Sequence, residues 1–303
     1  MQGIIQGLKR SPDVVYVNGL FNARFSIPLQ ALSLIRRGHI LCIAPRGELD
    51  AGALALKGHK KKAYIRAANA TRLLDRAFWH ASTEVEANNI RSQFPRAKNI
   101  IVRENDTELP WAAAEPKQSE NTYLNAVFMS RVSPKKGLHV ALHALASVKS
   151  RVNFDIIGPP EDARYVAECE SIINALPENV TARFLGPKEP EALRESLTKY
   201  DLMLFPTAGE NFGHAIAEGL SVACPIFCTD TTPWSAILRD GGGQVIASSE
   251  PQKWAKAIES YAQLGPEGWH EKRLQAASAY QAWRNAPVKP HFFDLLERSA
   301  EKV

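Results

Sequence analysis

Polar side chains crowd the start of one predicted helix, in the stretch FPTAGENFGHAIAEGL at residues 205–220. Its candidate ligand-contacting residues are Glu210, Asn211, Phe212, Gly213, His214 and Glu218. The first amides of a helix have no partner inside it, and glycine lets an anion approach the backbone, so this end can cradle a phosphate. Glu218 shares a helix face with His214, where a carboxylate can accept hydrogen bonds from sugar hydroxyls. The alternative, a capped helix with solvated glutamates, leaves this combination of residue types unexplained.

Two other strand ends carry residues suited to similar ligands. In SRVSPKKGL, Arg131 follows a strand, and Lys135 and Lys136 precede Gly137 and a helix. A guanidinium and an ammonium beside a helix N-terminus suit a phosphate or diphosphate, although basic residues at strand ends are common. In TDTTPW, Trp234 either offers its indole for stacking on a sugar ring or is a buried core residue.

The elements that position these residues alternate as strand and helix. In the second half, apolar runs such as LNAVFMSRV, VNFDIIGPP and DLMLFPT are each followed by a helical pattern, over five or six units. That alternation predicts a doubly wound parallel sheet, in which ligands bind beyond the carboxyl ends of the strands. All three residue groups above lie at such ends.

The first half repeats the pattern less completely. DVVYVNG and HILCIAPRG flank a helical segment, and KNIIVREN is a further strand, so three or so strands are expected where a doubly wound domain usually has about six. We therefore predict an α/β protein of two Rossmann-like doubly wound domains with a cleft between them, the first incomplete. The expected domains are 1–110 and 123–265, joined by a linker at 111–122, with C-terminal helices at 266–303 that cross back to the first domain.

Composition limits the remaining possibilities. The 303 residues are 45% hydrophobic and 23% charged, with a net charge of +5, which is typical of a soluble globular protein. Four cysteines without zinc or redox spacing predict buried thiols and a cytoplasmic location. No apolar run approaches the ~20 residues of a membrane span. The basic segment LKGHKKKAYIRAANATRLLDRAFWHAS predicts an amphipathic helix, either a solvated face or a surface for anionic lipid.

Two segments of the second half resemble a known family. SRVSPKKG and PTAGENFGHAIAEGLSVACPIFCTDTTPW are similar to the donor-site signatures of the retaining group 1 (GT4) glycosyltransferases, which have the GT-B fold. The family's two glutamates, separated by seven residues, would be Glu210 and Glu218. In the first half, YVNGLF, APRGEL and the segment from KKAYIR to WHASTEVE resemble, more loosely, members that build bacterial surface polysaccharides.

The resemblance implies a role for each matching residue. Arg131 and Lys136 would bind the diphosphate of a nucleotide-sugar donor, most simply a UDP- or GDP-sugar. Glu210 would contact the hydroxyls of the donor sugar, and the loop 211–214 would touch both the sugar and the phosphates. Glu218 would hold the ribose.

The resemblance also implies a reaction. Transfer would retain the anomeric configuration without a metal or other cofactor, and the departing diphosphate would take the acceptor's proton. The absence of a P-loop and of any Asp-x-Asp pair agrees with a site that binds diphosphate without a metal. The acceptor would be a saccharide or lipid-linked saccharide of the O-antigen, lipopolysaccharide or exopolysaccharide type, at the inner face of the cytoplasmic membrane. Nucleic acid is not an expected partner.

Two departures from the family pattern stand out. Many members carry a histidine in a strand-end loop of the first domain, where this chain has Arg46, and His80 is only a distant substitute. We assign Arg46, with Asn18 and Trp234, to the acceptor or donor-sugar side. The family's opening strand and glycine-rich loop have no counterpart here, so we expect the first part of the N-terminal domain to be missing. That expectation supports a second hypothesis, a catalytically degenerate nucleotide-sugar-binding or scaffold protein.

Overall fold

Strands and helices alternate along the chain, as the apolar runs predict. The structure is a computed structural model that describes residues 13–35, 38–55, 58–119, 121–287 and 290–301. Its strands are β1 Val14–Asn18, β2 Ile40–Ala44, β3 Phe78–Ala81, β4 Asn99–Val102, β5 Leu124–Met129, β6 Val152–Ile157, β7 Val180–Gly186, β8 Leu202–Phe205, β9 Ile226–Cys228 and β10 Gly243–Val245. Its longer helices are α1 Ser26–Ile35, α2 Ala51–Ala55, α3 Gly58–Ala70, α4 Glu84–Gln93, α5 Leu138–Leu145, α6 Ala163–Asn174, α7 Pro190–Leu197, α8 His214–Ser221, α9 Pro251–Ala262, α10 Gly265–Arg284 and α11 Phe292–Ala300.

The chain divides into two compact units. Unit 2 is Thr107–Pro287, and unit 1 takes in the chain up to Asp106 together with the chain beyond Pro287. The division therefore falls a few residues before the expected linker at 111–122. Within the expected C-terminal segment 266–303, α10 belongs to unit 2, because Trp269 and Tyr280 are buried in its core. Only α11 belongs to unit 1.

Unit 2 contains a six-stranded parallel sheet in the order β10-β9-β8-β5-β6-β7. This is the strand order of a doubly wound fold, and the order reverses between β5 and β8. All four residues of β8 are fully buried, as expected for a parallel strand covered on both faces. Ligands of such sheets bind in the crevice where the order reverses. The loops that follow β5 and β8 are therefore the place to look for a site.

Unit 1 contains a four-stranded parallel sheet in the order β1-β2-β3-β4. Strand β3 is not predicted by the sequence, because its residues fall inside the segment predicted as the basic helix. That helix, α3, ends at Ala70, and the chain turns at Arg72, where φ is 57°. All four β3 residues are buried between β2 and β4. A strand of four residues buried on both faces shows no alternation, so its sequence does not distinguish it from a helix.

Helices α3 and α11 each bury one side against unit 1. The basic helix α3 buries Ile65 and Ala68, while Lys60, Lys62 and Arg66 are exposed. Phe292 of α11 packs with buried residues of β2 and β3. In the described ranges, no helix combines the length and the apolar character needed to cross a membrane. All four cysteines are buried and free.

Candidate functional site

The carboxyl ends of β5 and β8 bring a basic and an acidic residue together. Lys136, in the 3₁₀ turn after β5, donates from Nζ to Oε1 of Glu210, in the loop after β8, at 2.6 Å. The two side chains are only 10% and 12% exposed. Thr207 donates from Oγ1 to the same oxygen at 2.7 Å. Oε2 of Glu210 has no hydrogen-bond partner among the described residues, so it can accept a bond from a ligand.

Close packing holds these two loops against each other. Gly137 has φ 74°, and a Cβ at this position would lie 2.0 Å from the carbonyl oxygen of Pro206. The backbone of Ala208 donates to the carbonyl of Lys135 at 2.8 Å. The glycine in SPKKG is therefore required both by its backbone conformation and by the neighbouring loop, which fixes the position of Lys136 beside it.

Helix α8 begins at His214, behind Gly213, which has φ 88°. A Cβ on Gly213 would lie 3.1 Å from Cδ1 of Trp234, so both the indole beside it and the positive φ favour glycine here. Trp234 is 2% exposed and donates from Nε1 to the carbonyl of Phe212 at 2.5 Å. An indole buried this deeply has no face for a sugar ring. The stacking role is therefore wrong, and Trp234 supports the loop from the core.

Glu218 lies one turn into α8. Burial, the only cause of the shift, raises the pKa of its carboxyl above the ordinary value. Among the described residues, no hydrogen bond or ion pair reaches this carboxylate. Burying a carboxylate without donors is unfavourable. A ligand that offers hydroxyl groups would supply those donors, which makes Glu218 a candidate contact for a polyol such as a sugar.

Arg131 also follows β5 but is engaged elsewhere. Its guanidinium is 58% exposed and contacts the carboxylate of Glu161, which is 44% exposed. Exposed ion pairs contribute only about 0–1 kcal/mol, so an incoming phosphate can compete for this guanidinium. The structure thus brings Lys136 and Glu210 into direct contact and leaves Arg131 as a separate surface cation after the same strand.

A second polar cluster lies at the carboxyl edge of the sheet in unit 1. Arg46, after β2, donates from Nε to Asn18 at 2.8 Å and from Nη2 to the hydroxyl of Tyr16 at 2.9 Å. Its Nη1 contacts the side-chain oxygen of Asn105, after β4. The Tyr16 hydroxyl is also 2.6 Å from Nδ1 of His80. We call these five residues the Arg46 cluster. The sequence assigned Asn18 and Arg46 to one function, and the structure places them in contact.

His80 is the buried member of the Arg46 cluster. It is 5% exposed, its Nε2 lies 2.8 Å from the carbonyl of Arg103, and its ring stacks on Phe292 with 3.9 Å between centroids. Burial lowers the pKa of His80 to about 4, so the ring is neutral at pH 7. Both ring nitrogens are engaged and one ring face is covered, which indicates a structural role.

Two glutamates that were not among the predicted site residues hold the loops of unit 1. Glu48 accepts hydrogen bonds from two backbone amides of the loop after β1. Glu86 accepts from the amide of Gly47 at 2.7 Å and from Ser82. The amide of Glu86 in turn binds the hydroxyl of Thr83, as in a helix capping box, so the Thr-x-x-Glu spacing was a readable signal.

Three threonines of unit 2 were also not among the predicted site residues. The side chains of Thr229 and Thr231 both donate to the carbonyl of Thr207, whose own hydroxyl binds Glu210. This arrangement depends on the adjacency of β8 and β9, so no local sequence pattern predicts it. In the described ranges, no three His, Cys, Asp or Glu side chains gather as metal ligands.

Comparisons with known proteins identify relatives for unit 2 and for the fold. The family model described as "Glycosyl transferases group 1" matches residues 111–280. The D-inositol 3-phosphate glycosyltransferase of Corynebacterium urealyticum is 29% identical over 139 residues, which are 43% of this chain and 33% of that protein. The chain thus spans about a third of the length of this curated relative.

Solved structures resemble nearly the whole chain. The Anabaena protein Alr3699/HepE, in complex with UDP and glucose, is similar with a TM-score of 0.74 and 19% identity, over 99% of this chain and 80% of that one. The sucrose-phosphate synthase of Thermosynechococcus elongatus gives a TM-score of 0.77 at 14% identity, over 99% of this chain and 76% of that one. These similarities establish the two-sheet glycosyltransferase fold, GT-B.

Proposed function

The chain belongs to the group 1 glycosyltransferases, and on that premise we propose that it transfers a sugar from a nucleotide-diphosphate sugar to an acceptor hydroxyl. One observation carries the proposal: the buried contact between Lys136 and Glu210 where the strand order of unit 2 reverses. It presents an ammonium for phosphate beside a carboxylate for sugar hydroxyls.

Lys136 and Glu210 each retain capacity for a ligand. A lysine ammonium has three N–H groups, and one of them is bonded to Glu210. Two remain for the oxygens of a diphosphate. Oε1 of Glu210 is bonded to Lys136 and Thr207, while Oε2 is available to a sugar hydroxyl. The pair can therefore bind the phosphate and the sugar of one donor without breaking its own contact.

The N-terminus of α8 adds to the binding of negative charge. A helix N-terminus carries partial positive charge and backbone donors, which suit a phosphate. We assign the loop 211–214 to contacts with the donor sugar and phosphates, and Glu218 to the hydroxyls of the ribose. The half-buried carboxylate of Glu218 accords with this role, because ribose hydroxyls supply the donors that it lacks.

In the proposed reaction, negative charge develops on the departing diphosphate. The bond from the anomeric carbon to the donor phosphate breaks, the bond to the acceptor oxygen forms, and the departing diphosphate takes the acceptor's proton. Lys136, Arg131 and the α8 end stabilise the charge on that leaving group, which fixed donors do effectively. We propose that these groups act without a metal and that the anomeric configuration is retained.

We propose a saccharide or lipid-linked saccharide of the cell envelope as acceptor, at the cytoplasmic face of the membrane. Helix α3 supports this location because Lys60, Lys62 and Arg66 are exposed and the helix contains no acidic residue. Such a face attracts anionic lipid. The corynebacterial relative is named for an inositol phosphate, which makes small phosphorylated polyols the alternative acceptors to assay.

The first experiment is a thermal-shift panel with UDP, GDP, ADP and CMP, with and without Mg²⁺. A nucleotide at 100 times its Kd should add ~2.7 kcal/mol to the stability of the protein. We expect one diphosphate to shift Tm without Mg²⁺ and the shift to shrink in Lys136→Ala. If none of the four nucleotides shifts Tm, the proposal is contradicted. Nucleotide binding without hydrolysis or transfer of the matching donor would favour the degenerate binding protein.

A further inference from the structure

The described residues that hold the guanidinium of Arg46 are all neutral. Its contacts are the amide oxygens of Asn18 and Asn105 and the hydroxyl of Tyr16. A guanidinium has five N–H groups, and these three contacts use one each. One N–H on Nη1 and one on Nη2 therefore remain. Because the acceptors come from β1 and from the segment after β4, the side chain is fixed across the carboxyl edge of the sheet.

Among the described residues, no carboxylate forms an ion pair with this guanidinium. The charge of Glu86 acts on Tyr16 and His80 of the cluster without such a contact to Arg46. The nearby carboxylate of Glu86 accepts hydrogen bonds from Gly47 and Ser82. The other cation that acts on this cluster, Arg103, is paired with Asp106 at 2.7 Å. Arg46 is also half-buried, where an uncompensated charge is less well solvated than on an open surface.

The backbone at Arg46 is strained as well. Its φ is 55°, in the left-handed region, and Gly47 follows with φ 80°. The amide of Glu48 donates to the carbonyl of Pro45 at 3.1 Å, which closes a turn around the two residues. A left-handed conformation costs a residue with a side chain about 1–2 kcal/mol. Strain of this kind is concentrated at functional sites, and here it directs a long cation over the sheet edge.

We propose that Arg46 binds an oxyanion, a carboxylate or a phosphate, on the acceptor substrate. The two remaining N–H groups and the uncompensated charge suit such a group, since guanidinium binds oxyanions through paired hydrogen bonds. The inference rests on the proposed function only in calling the ligand an acceptor. The anion site itself lies in unit 1 and is testable without any transfer reaction.

The test uses the full chain labelled with ¹⁵N-arginine. The Nε signal of Arg46 is assigned by its loss in Arg46→Gln and is then followed during titration with inorganic phosphate, with glucuronate and with neutral glucose. Saturating UDP is present so that phosphate-binding groups of unit 2 are occupied. We expect a saturable shift of the Arg46 signal with at least one anion and none with glucose. A shift with phosphate but not glucuronate indicates a phosphorylated acceptor. A shift with glucuronate but not phosphate indicates an acceptor that contains a uronic acid.

Variants separate binding from folding. The anion affinity, followed by the ligand's own NMR signals, should fall at least about tenfold in Arg46→Gln and stay unchanged in Arg91→Gln, an exposed arginine of α4 in the same unit. The Nε of Arg103 donates to the Pro290 carbonyl and reports whether unit 1 remains native in each variant. No saturable shift with either anion, or full affinity in Arg46→Gln, overturns the inference. A failure of UDP, GDP and ADP alike to bind would instead count against the proposed function, because the Arg46 signal is read separately.

Discussion

The two sheets hold their cations in opposite ways. In unit 2, Lys136 is bonded to the carboxylate of Glu210, and both side chains are about nine-tenths buried. In unit 1, Arg46 is held by two amides and a hydroxyl, and none of the carboxylates that the structure describes pairs with its guanidinium. Both arrangements lie at the carboxyl edge of a parallel sheet, where ligands of this class of fold bind.

The difference reflects the chemistry of the two cations. An ammonium on a four-carbon stem is a flexible point charge, so a charged partner is needed to orient it. A guanidinium is planar and can be fixed by several neutral acceptors that leave its charge uncompensated. The lysine site therefore offers a cation and an anion side by side, which suits the proposed nucleotide-sugar donor with its phosphates and hydroxyls. The arginine site offers a cation alone.

Removal of the Lys136 ammonium should have the largest effect on activity of the variants considered. Lys136→Ala should lower kcat by ~100-fold or more, because a fixed donor to the leaving group is lost and Glu210 is left buried without its partner. The assay is initial-rate transfer or donor hydrolysis. The control is Lys253→Ala, which breaks an exposed lysine–glutamate pair 3.0 Å long in the same unit and should leave kcat unchanged. Equal rates in the two variants would show that burial of the pair is irrelevant to catalysis.

The buried histidine of the Arg46 cluster should make unit 1 sensitive to acid. The pKa of His80 is lowered from 6.5 to about 4 in the folded state, so the unfolded chain binds its proton first. The free energy of unfolding should therefore contain the full contribution of neutral His80 above pH 6.5. It should fall by roughly 3 kcal/mol as the pH drops to 4.

Urea unfolding at pH 7.5 and 4.5 measures this loss. His80→Gln should lower the stability at both pH values but reduce the difference between them. The control His143→Gln replaces an exposed histidine and should preserve that difference. If His80→Gln retains the full acid sensitivity, His80 is not its source.

Removal of the second glutamate should affect nucleotide binding. Glu218→Ala should raise the Kd for the preferred nucleotide by ~30-fold, about 2 kcal/mol, because hydrogen bonds to a charged group are lost. The variant should also be slightly more stable without ligand, since burial of this carboxylate is unfavourable. Isothermal titration gives the Kd, and Glu195→Ala on α7 is the exposed control. An unchanged Kd in Glu218→Ala would remove the ribose assignment.

Removal of the exposed Arg131 side chain should have the smallest effect on the kinetics. Arg131→Ala should lower kcat about tenfold and change KM less, if its contact strengthens as charge develops on the leaving group. Glu161→Ala releases the guanidinium from its surface partner and should improve donor binding slightly. Steady-state kinetics of both variants, beside the exposed Arg164→Ala, test this. A rise in KM with kcat unchanged would mean that Arg131 contributes only uniform binding.

Much of the fold, and the residues of the proposed donor site, could be predicted from the sequence. Continuous apolar runs with intervening helical patterns predicted the parallel sheets, since strands covered on both faces have no polar side. The glycines of SPKKG and ENFGH marked positions where the backbone has positive φ, at 137 and 213. Strand β3 was missed because four buried residues carry no periodicity. The sequence left both roles of Trp234 open, because an indole next to a polar loop can lie above it or beneath it, and its burial in the structure favours the core residue.

The sequence by itself determined which residue types stand at the strand ends, because each follows an apolar run directly. Only the tertiary structure decided their partners. Lys136 and Glu210 are 74 positions apart, and Arg46 and Asn105 are 59 apart, so these pairs exist only because parallel strands end at one edge. The order of the strands sets which loops become neighbours, and with it whether a cation meets a carboxylate or a neutral amide. That choice is what distinguishes the two edges of this protein.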